Sequence, residues 1–300
     1  MIALGFFDGV HIGHAALMRR TSELAESAGA VSMALTFDRH PDELTRGEPV
    51  LLLDTKEERS EIIKKKFGID EVEFLKFDAE LMRMPWDRFL EDILIGQMEA
   101  VHLVVGHDFC FGYKGLGTAP LLKERCGQLG IGCDIIPEVE MDGITVSSTH
   151  IRSLVAQGNV ERAAQFLGYR YFISGYTRRG RGIGHRELFA TANIPLPDGL
   201  LSPARGVYAT RVMVDGRLYN AVTNVGINPT VGETGEVVIE SHIFDFDSEL
   251  YGKYLRVFFY RFLRSERKFT DVTALREQIS RDIAASRECL VAFPAETDLF

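Results

Sequence analysis

The feature that most constrains this chain is a change of rhythm near residue 168. Before it, short apolar runs alternate with amphipathic stretches of helical period. After it, strand-like runs follow one another with no helix between them until close to the end. Alternation of the first kind calls for a parallel sheet covered by helices, because parallel strands need long crossover connections. Strands in direct succession call for antiparallel pairing, as a barrel or a sandwich. A chain of 300 residues holds both, each with its own core. The expectation is therefore an α/β domain over residues 1–168, then an antiparallel β domain with a terminal helix over residues 169–300.

Local signals sharpen that outline. Ile2-Ala3-Leu4 reads as a short buried strand. The helix after His14 carries Leu17, Met18, Leu24, Ala25 and Ala28 on one face and stops at Gly29. Residues 31–37, 72–77 and 101–106 read as further strands, and Thr55 with Glu58 forms a capping box ahead of another helix. In the second half, residues 171–177, 206–214, 217–225, 237–246 and 254–262 read as strands, with Asp215-Gly216 as a two-residue hairpin. A last helix, capped by Thr270 or Asp271, places Leu275, Ile279, Ile283 and Leu290 on one face.

Composition excludes several functions. No apolar run approaches the roughly 20 residues that cross a bilayer, and the opening "MIALG" has no basic leader, so neither membrane nor export is expected. Cys110, Cys126, Cys133 and Cys289 show no CxxC spacing, which suits reduced thiols in the cytoplasm. A net charge of −9 argues against a nucleic-acid partner.

Three polar stretches carry the chemistry. "GFFDGVHIGH" ends on His11-Ile12-Gly13-His14, at the mouth of a helix that follows a strand. Two imidazoles there can face one phosphate, and the helix N-terminus adds amide donors and positive partial charge. Gly5, Phe6, Asp8 and Gly13 of the same stretch are candidate ATP or phosphate contacts, with Gly13 expected to let the backbone approach closely. In "VSSTHIRSL", Ser148 and Thr149 stand at a helix start with Arg152 one turn inside, a second phosphate cradle. "VVGHDFCFG" puts Asp108 and Phe109 at a strand end, suited to polar and stacking contacts with a ring ligand such as a flavin. In a parallel α/β sheet such strand-end loops converge on the ligand. The His-Ile-Gly-His signature is shared by enzymes that load amino acids onto tRNA and by enzymes that transfer nucleotides to small phosphorylated molecules. The first group also carries a lysine-rich KMSKS-type loop, and none is present here.

These stretches, with "TFDRHP", resemble the adenylyltransferase half of bacterial bifunctional riboflavin kinase/FAD synthetases. "GVYATRV", "NVGINPTVG", "ESHIFDFDSELYG" and "SERKF" resemble the kinase half. The resemblance implies a Rossmann-like nucleotidyltransferase domain joined to a riboflavin kinase β-barrel. It implies ATP-dependent phosphorylation of riboflavin to FMN, then adenylylation of FMN to FAD with release of pyrophosphate. Its small-molecule partners would be riboflavin, FMN, FAD and ATP, with Mg²⁺ as cofactor. His11, His14 and Arg152 would serve the transfer, and Glu240 would be the kinase base. Thr191 and Asn193 would hold Mg²⁺, and Gly180, Gly182 and Gly184 would belong to a flap over the nucleotide.

The sequence departs from that family between the flap and Thr191, where "GHRELFATAN" stands for a run close to GRxxGxPTAN. His185 replaces an arginine, Leu188 a glycine and Ala190 a proline. Loss of the proline loosens the approach to Thr191. Arg39 and Cys110 are smaller departures, at positions where the family often has proline and arginine. The alternative reading keeps only the FMN adenylyltransferase and makes the barrel a weak or non-catalytic flavin-binding module.

Overall fold

A computed structural model describes residues 1–178, 191–228 and 235–293. The chain divides into two compact units, Met1–Ser148 and a second from Thr149 onward. In the first unit, five parallel strands form one sheet: β1 (Ile2–Leu4), β2 (Met33–Phe37), β3 (Glu71–Leu75), β4 (His102–Gly106) and β5 (Gly132–Ile136). Their order is β3-β2-β1-β4-β5. Ile2 and Ala3 pair with Met33 and Ala34 on one side, and with Leu103 and Val104 on the other. The chain thus winds outward from β1 in one direction and then returns to its other side at β4. That reversal opens a crevice beyond the strand ends, where the loops leaving β1 and β4 part.

Helix α1 (Ile12–Ala28) packs Ala15, Leu17, Met18, Thr21 and Ala25 inward and ends at Gly29, which is left-handed at φ 61°. Ala28, expected on the buried face, is exposed in the final turn. Helix α2 (Lys56–Phe67) begins with the expected capping box, Glu58 N–H to Thr55 Oγ1 at 3.2 Å and Thr55 N–H to Glu58 Oε2 at 2.9 Å. The helix that follows Trp86 is π-wound over Phe89–Gln97. Helix α3 (Ala119–Leu129) and β5 have no counterpart in the sequence reading.

In the second unit, α4 (Ser148–Ala156, its first residue in the first unit) and α5 (Val160–Leu167) precede six antiparallel strands. These are β6 (Phe172–Tyr176), β7 (Thr191–Pro195), β8 (Gly206–Val214), β9 (Arg217–Asn228), β10 (Glu236–Ile243) and β11 (Tyr254–Arg264), in the order β6-β11-β8-β9-β10-β7. The sheet curls until its edges nearly meet. Arg178, just past β6, donates its N–H to the Asn193 carbonyl on β7 at 2.8 Å, and a Cβ on Gly175 would lie 2.6 Å from Ile194. Tyr208, Thr210, Thr223, Val225, Ile239 and Ser241 fill the interior. The Asp215-Gly216 hairpin has both residues at positive φ, 49° and 78°, the two-residue turn the sequence predicts.

The terminal helix α6 (Val272–Val291) is capped by Asp271, which accepts the Ala274 N–H at 2.8 Å. Its buried face differs from the predicted apolar stripe: Gln278, Asp282 and Ser286 are buried with Cys289 and Leu290. The barrel supplies polar partners for that face. Arg264 bonds both Asp282 oxygens, and Ser286 donates to the Ala221 carbonyl at 2.8 Å. No described helix is long and apolar enough to cross a membrane.

Candidate functional site

The loop from β1 to α1 has three residues of positive φ within four positions: Phe7 (60°), Gly9 (73°) and Val10 (33°). For β-branched Val10 that conformation is strained, and it persists only where the surroundings enforce it. The enforcing groups lie buried around the loop. Arg59, on the first turn of α2, donates from Nε and Nη2 to Asp54 Oδ1 at 2.9 and 2.8 Å. Its Nη1 donates to the Phe6 carbonyl at 3.1 Å, and its guanidinium lies over the Phe6 ring at 4.4 Å. Asp54 Oδ2 accepts the Gly9 N–H at 2.9 Å. Asp8 Oδ1 accepts the Leu53 N–H at 2.8 Å and sits 3.8 Å from Arg59 Nη2. Asp8, Asp54 and Arg59 are each at most 2% exposed. The Asp8 carbonyl accepts the Ser148 hydroxyl at 2.9 Å.

Upon that base stand the two histidines. His11 caps α1, its Nδ1 accepting the His14 N–H at 3.3 Å. The two rings stack at 3.6 Å and 15°, with the Phe7 ring edge-on to His14 at 5.3 Å. Burial pushes His11 down to about 4, and burial with the nearby His11 and Arg59 holds His14 well below the ordinary imidazole range. Both rings are therefore neutral near pH 7. Because His11 Nδ1 is an acceptor, its proton sits on Nε2. His14 Nδ1 is buried with no hydrogen-bond partner, and an unpaired acceptor is more tolerable than an unpaired donor, which puts that proton on Nε2 as well.

Gly13 has a packing reason beside the expected backbone approach to phosphate. A Cβ there would sit 3.1 Å from the His11 ring, so glycine makes room for the imidazole stack. Gly5 likewise makes room for Phe7, whose ring lies 2.5 Å from a Cβ built at Gly5. Asp8, expected at the ligand, is buried within the loop and fixes its shape. "TFDRHP" meets this stretch through His40, whose ring lies edge-on to Phe6 at 4.6 Å.

At the end of β4, across the crevice from β1, Asp108 is exposed and Phe109 half-buried, its ring stacked on Phe111 at 5.2 Å. The sheet order brings this turn and the His11-His14 loop to neighbouring strand ends. Ser148 reaches the same loop by its bond to Asp8, whereas Thr149 and Arg152 belong to the second unit and bond each other, Nη2 to Oγ1 at 3.2 Å.

On the barrel, Asn224, Glu240 and Asn193 lie side by side in register across β9, β10 and β7. They occupy the face opposite the buried Ile239 and Ser241. The Thr191 hydroxyl donates to Glu240 Oε1 at 2.9 Å. Thr191, Asn193 and Glu240 thus form a compact oxygen-rich cluster at the barrel edge. Gly180, Gly182, Gly184 and the altered run 184–190 lie outside the described residues. Among the described residues, no group of three or more His, Cys, Asp and Glu side chains gathers as a metal site would.

Sequence reasoning missed Asp54 and Arg59. Arg59 had a signal: it shares a helical face with Ile62 and Ile63, at i+3 and i+4, which puts a charged residue on the buried side.

Comparison with known proteins agrees with both halves. A family model for FAD synthetase matches residues 1–150, and one for riboflavin kinase matches residues 167–290. A bifunctional riboflavin kinase/FMN adenylyltransferase of Bacillus subtilis is 34% identical over 290 residues, 94% of this chain and 90% of that protein. One of Escherichia coli K12 is 31% identical, covering 96% of this chain and 92% of its own length. A solved structure from Streptococcus pneumoniae, described as a macrolide-efflux protein, superposes with a TM-score of 0.85 at 30% identity over 95% of this chain and 93% of that one.

Proposed function

This chain belongs to the bifunctional riboflavin kinase/FMN adenylyltransferase family, and on that premise we propose which residues carry its two reactions. It phosphorylates riboflavin to FMN with ATP and adenylylates FMN to FAD, releasing pyrophosphate. The first unit performs the second of these steps. An FMN phosphate oxygen attacks the α-phosphorus of ATP while the bond to pyrophosphate breaks. The attacking group is already ionised, so the enzyme's work is orientation and charge stabilisation. His11 and His14 present neutral Nε2–H donors to the phosphates. The first-turn amides of Ile12 and Gly13, which have no carbonyl partner within α1, add to them. Phe109 and Asp108 receive the flavin at the neighbouring strand end. Ser148, whose hydroxyl is held at the Asp8 carbonyl, supplies a further phosphate contact.

In the barrel, Glu240 accepts the proton of the riboflavin 5′-hydroxyl as that oxygen attacks the γ-phosphorus and ADP departs. The Thr191 hydroxyl orients the carboxylate. Thr191 and Asn193 offer the hard oxygen donors that suit Mg²⁺, whose remaining ligands are usually phosphates and water. When bound there, Mg²⁺ neutralises phosphate charge. We place the protein in the cytoplasm, in keeping with its four free cysteines.

The observation that carries the adenylyltransferase assignment is the neutral imidazole stack at the crevice between β1 and β4. His14→Ala removes one preorganised donor and should lower FAD formation by roughly 10²–10³. FMN formation from riboflavin should stay at the parental rate. A His14→Ala protein that makes FAD as fast as the parent excludes the pair from the reaction.

A further inference from the structure

We infer that Arg59 is a positioning residue for adenylyl transfer, acting through the strained loop that presents His11 and His14. The inference rests on the assignment of that histidine pair to the phosphates. Its basis is geometric. A fully buried guanidinium is an expensive element of a core, and here each of its three nitrogens is committed. Two face Asp54 and one faces the Phe6 carbonyl. Asp54 relays the hold to the Gly9 N–H, so the backbone is gripped at Phe6 and again at Gly9. Between and just beyond those points lie Phe7, Gly9 and Val10, whose positive φ angles aim the chain into the start of α1.

Strained conformations of this kind relax when the surrounding contacts are removed. The first consequence would be a shift of the His11 cap and of the ring stacked on it. Arg59 also acts electrostatically: its positive charge is among the influences that keep His14 deprotonated. The guanidinium therefore fixes both where the imidazoles stand and the form in which they meet the phosphates. Arg59 itself is buried under the loop, 1% exposed.

The test uses the full-length protein with ATP and Mg²⁺, supplied with FMN to follow FAD formation and separately with riboflavin to follow FMN formation, and compares Arg59→Lys with Asp54→Asn. Lysine keeps the charge but cannot bond Asp54 and the Phe6 carbonyl together in a planar fork. Asparagine keeps the size and an acceptor for Gly9 but loses the ionic partner. Trp86, the one tryptophan of the chain, lies in the first unit and reports its folding. With native Trp86 emission, each variant should lose about 10–100-fold in kcat for FAD formation, the scale for a displacement of about 1 Å at a reacting centre. The KM for ATP should move less than threefold, and FMN formation should be unchanged. Folded variants with parental kcat overturn the inference, as does a folded, fully active Asp54→Asn beside an unfolded Arg59→Lys. Loss of native emission in both makes the cluster a folding element only, and also overturns it. A His14→Ala control separates the failures: if that protein is inactive while both folded variants are active, the site stands and Arg59's role falls. If His14→Ala is active, the assignment of the site falls first.

Discussion

Acid should destabilise the first unit through His11 by an amount that the structure allows to be worked out. The ring is 5% exposed and burial lowers its proton affinity from the ordinary 6.5 to about 4. The sign follows from linkage. Between those two values the unfolded chain binds a proton that the folded ring refuses, so stability is intact above the unfolded value and drains away as pH falls toward the folded one. The full difference is about 3 kcal/mol at ~1.4 kcal/mol per unit. From about pH 7 to about pH 4.5, roughly 2 kcal/mol of it should be lost. Other groups titrate in the same range, some with the opposite sign. Asp54 is one, since burial pushes its carboxyl up and favours the folded state as pH falls. The measurement is therefore a difference between the parent and His11→Asn. Asparagine retains an N-cap acceptor for the His14 N–H and does not titrate. Urea unfolding followed by Trp86 emission reads the first unit. Between the two pH values the parental midpoint should fall by about 1 M urea more than that of the variant, taking a slope of ~2 kcal/mol/M. Equal falls in both proteins would refute the claim that the fold holds His11 neutral by burying it.

Three further outcomes are expected. Glu240→Gln keeps an oxygen for the Thr191 hydroxyl but cannot take up a proton, so FMN formation should drop by about 10²–10⁴ while FAD synthesis from supplied FMN continues; product analysis by chromatography reads both. A fragment of residues 1–168 contains the whole parallel sheet, the histidine loop, α4 and α5, and should fold and convert FMN to FAD; a soluble, folded but inert fragment would show that the second unit completes the first site. Leu188→Gly with Ala190→Pro, the residues that the resemblance implies there, should raise kcat for FMN formation if these two substitutions limit the kinase; an unchanged rate would place the limit elsewhere.

What was legible in the sequence was whatever a contiguous stretch could specify. The β1 strand, the capping box at Thr55 and Glu58, the Asp215-Gly216 hairpin and the His11-His14 pair each depend on residues a few positions apart. The histidines could be read as a pair because they stand three residues apart, at the cap and in the first turn of one helix. The reason they stand still could not. Asp54 and Arg59 act on Gly9 and Phe6 across 45 and 53 residues of chain, and Arg59 sits in "KEERSEIIKKK", a run that looks like a solvated face. The terminal helix misled for the same reason. Its buried polar residues Gln278, Asp282 and Ser286 make sense only once the barrel brings Arg264 and the Ala221 carbonyl against them. In both units, then, a buried ion pair fixes something that local pattern cannot show: Arg59 with Asp54 grips the distant Phe6 and Gly9, and Arg264 with Asp282 seats the terminal helix. In the first unit that pair holds the loop that leads into His11 and His14. Any change of sequence that spares His11 and His14 but removes Asp54 or Arg59 should therefore leave the motif intact and the enzyme slow.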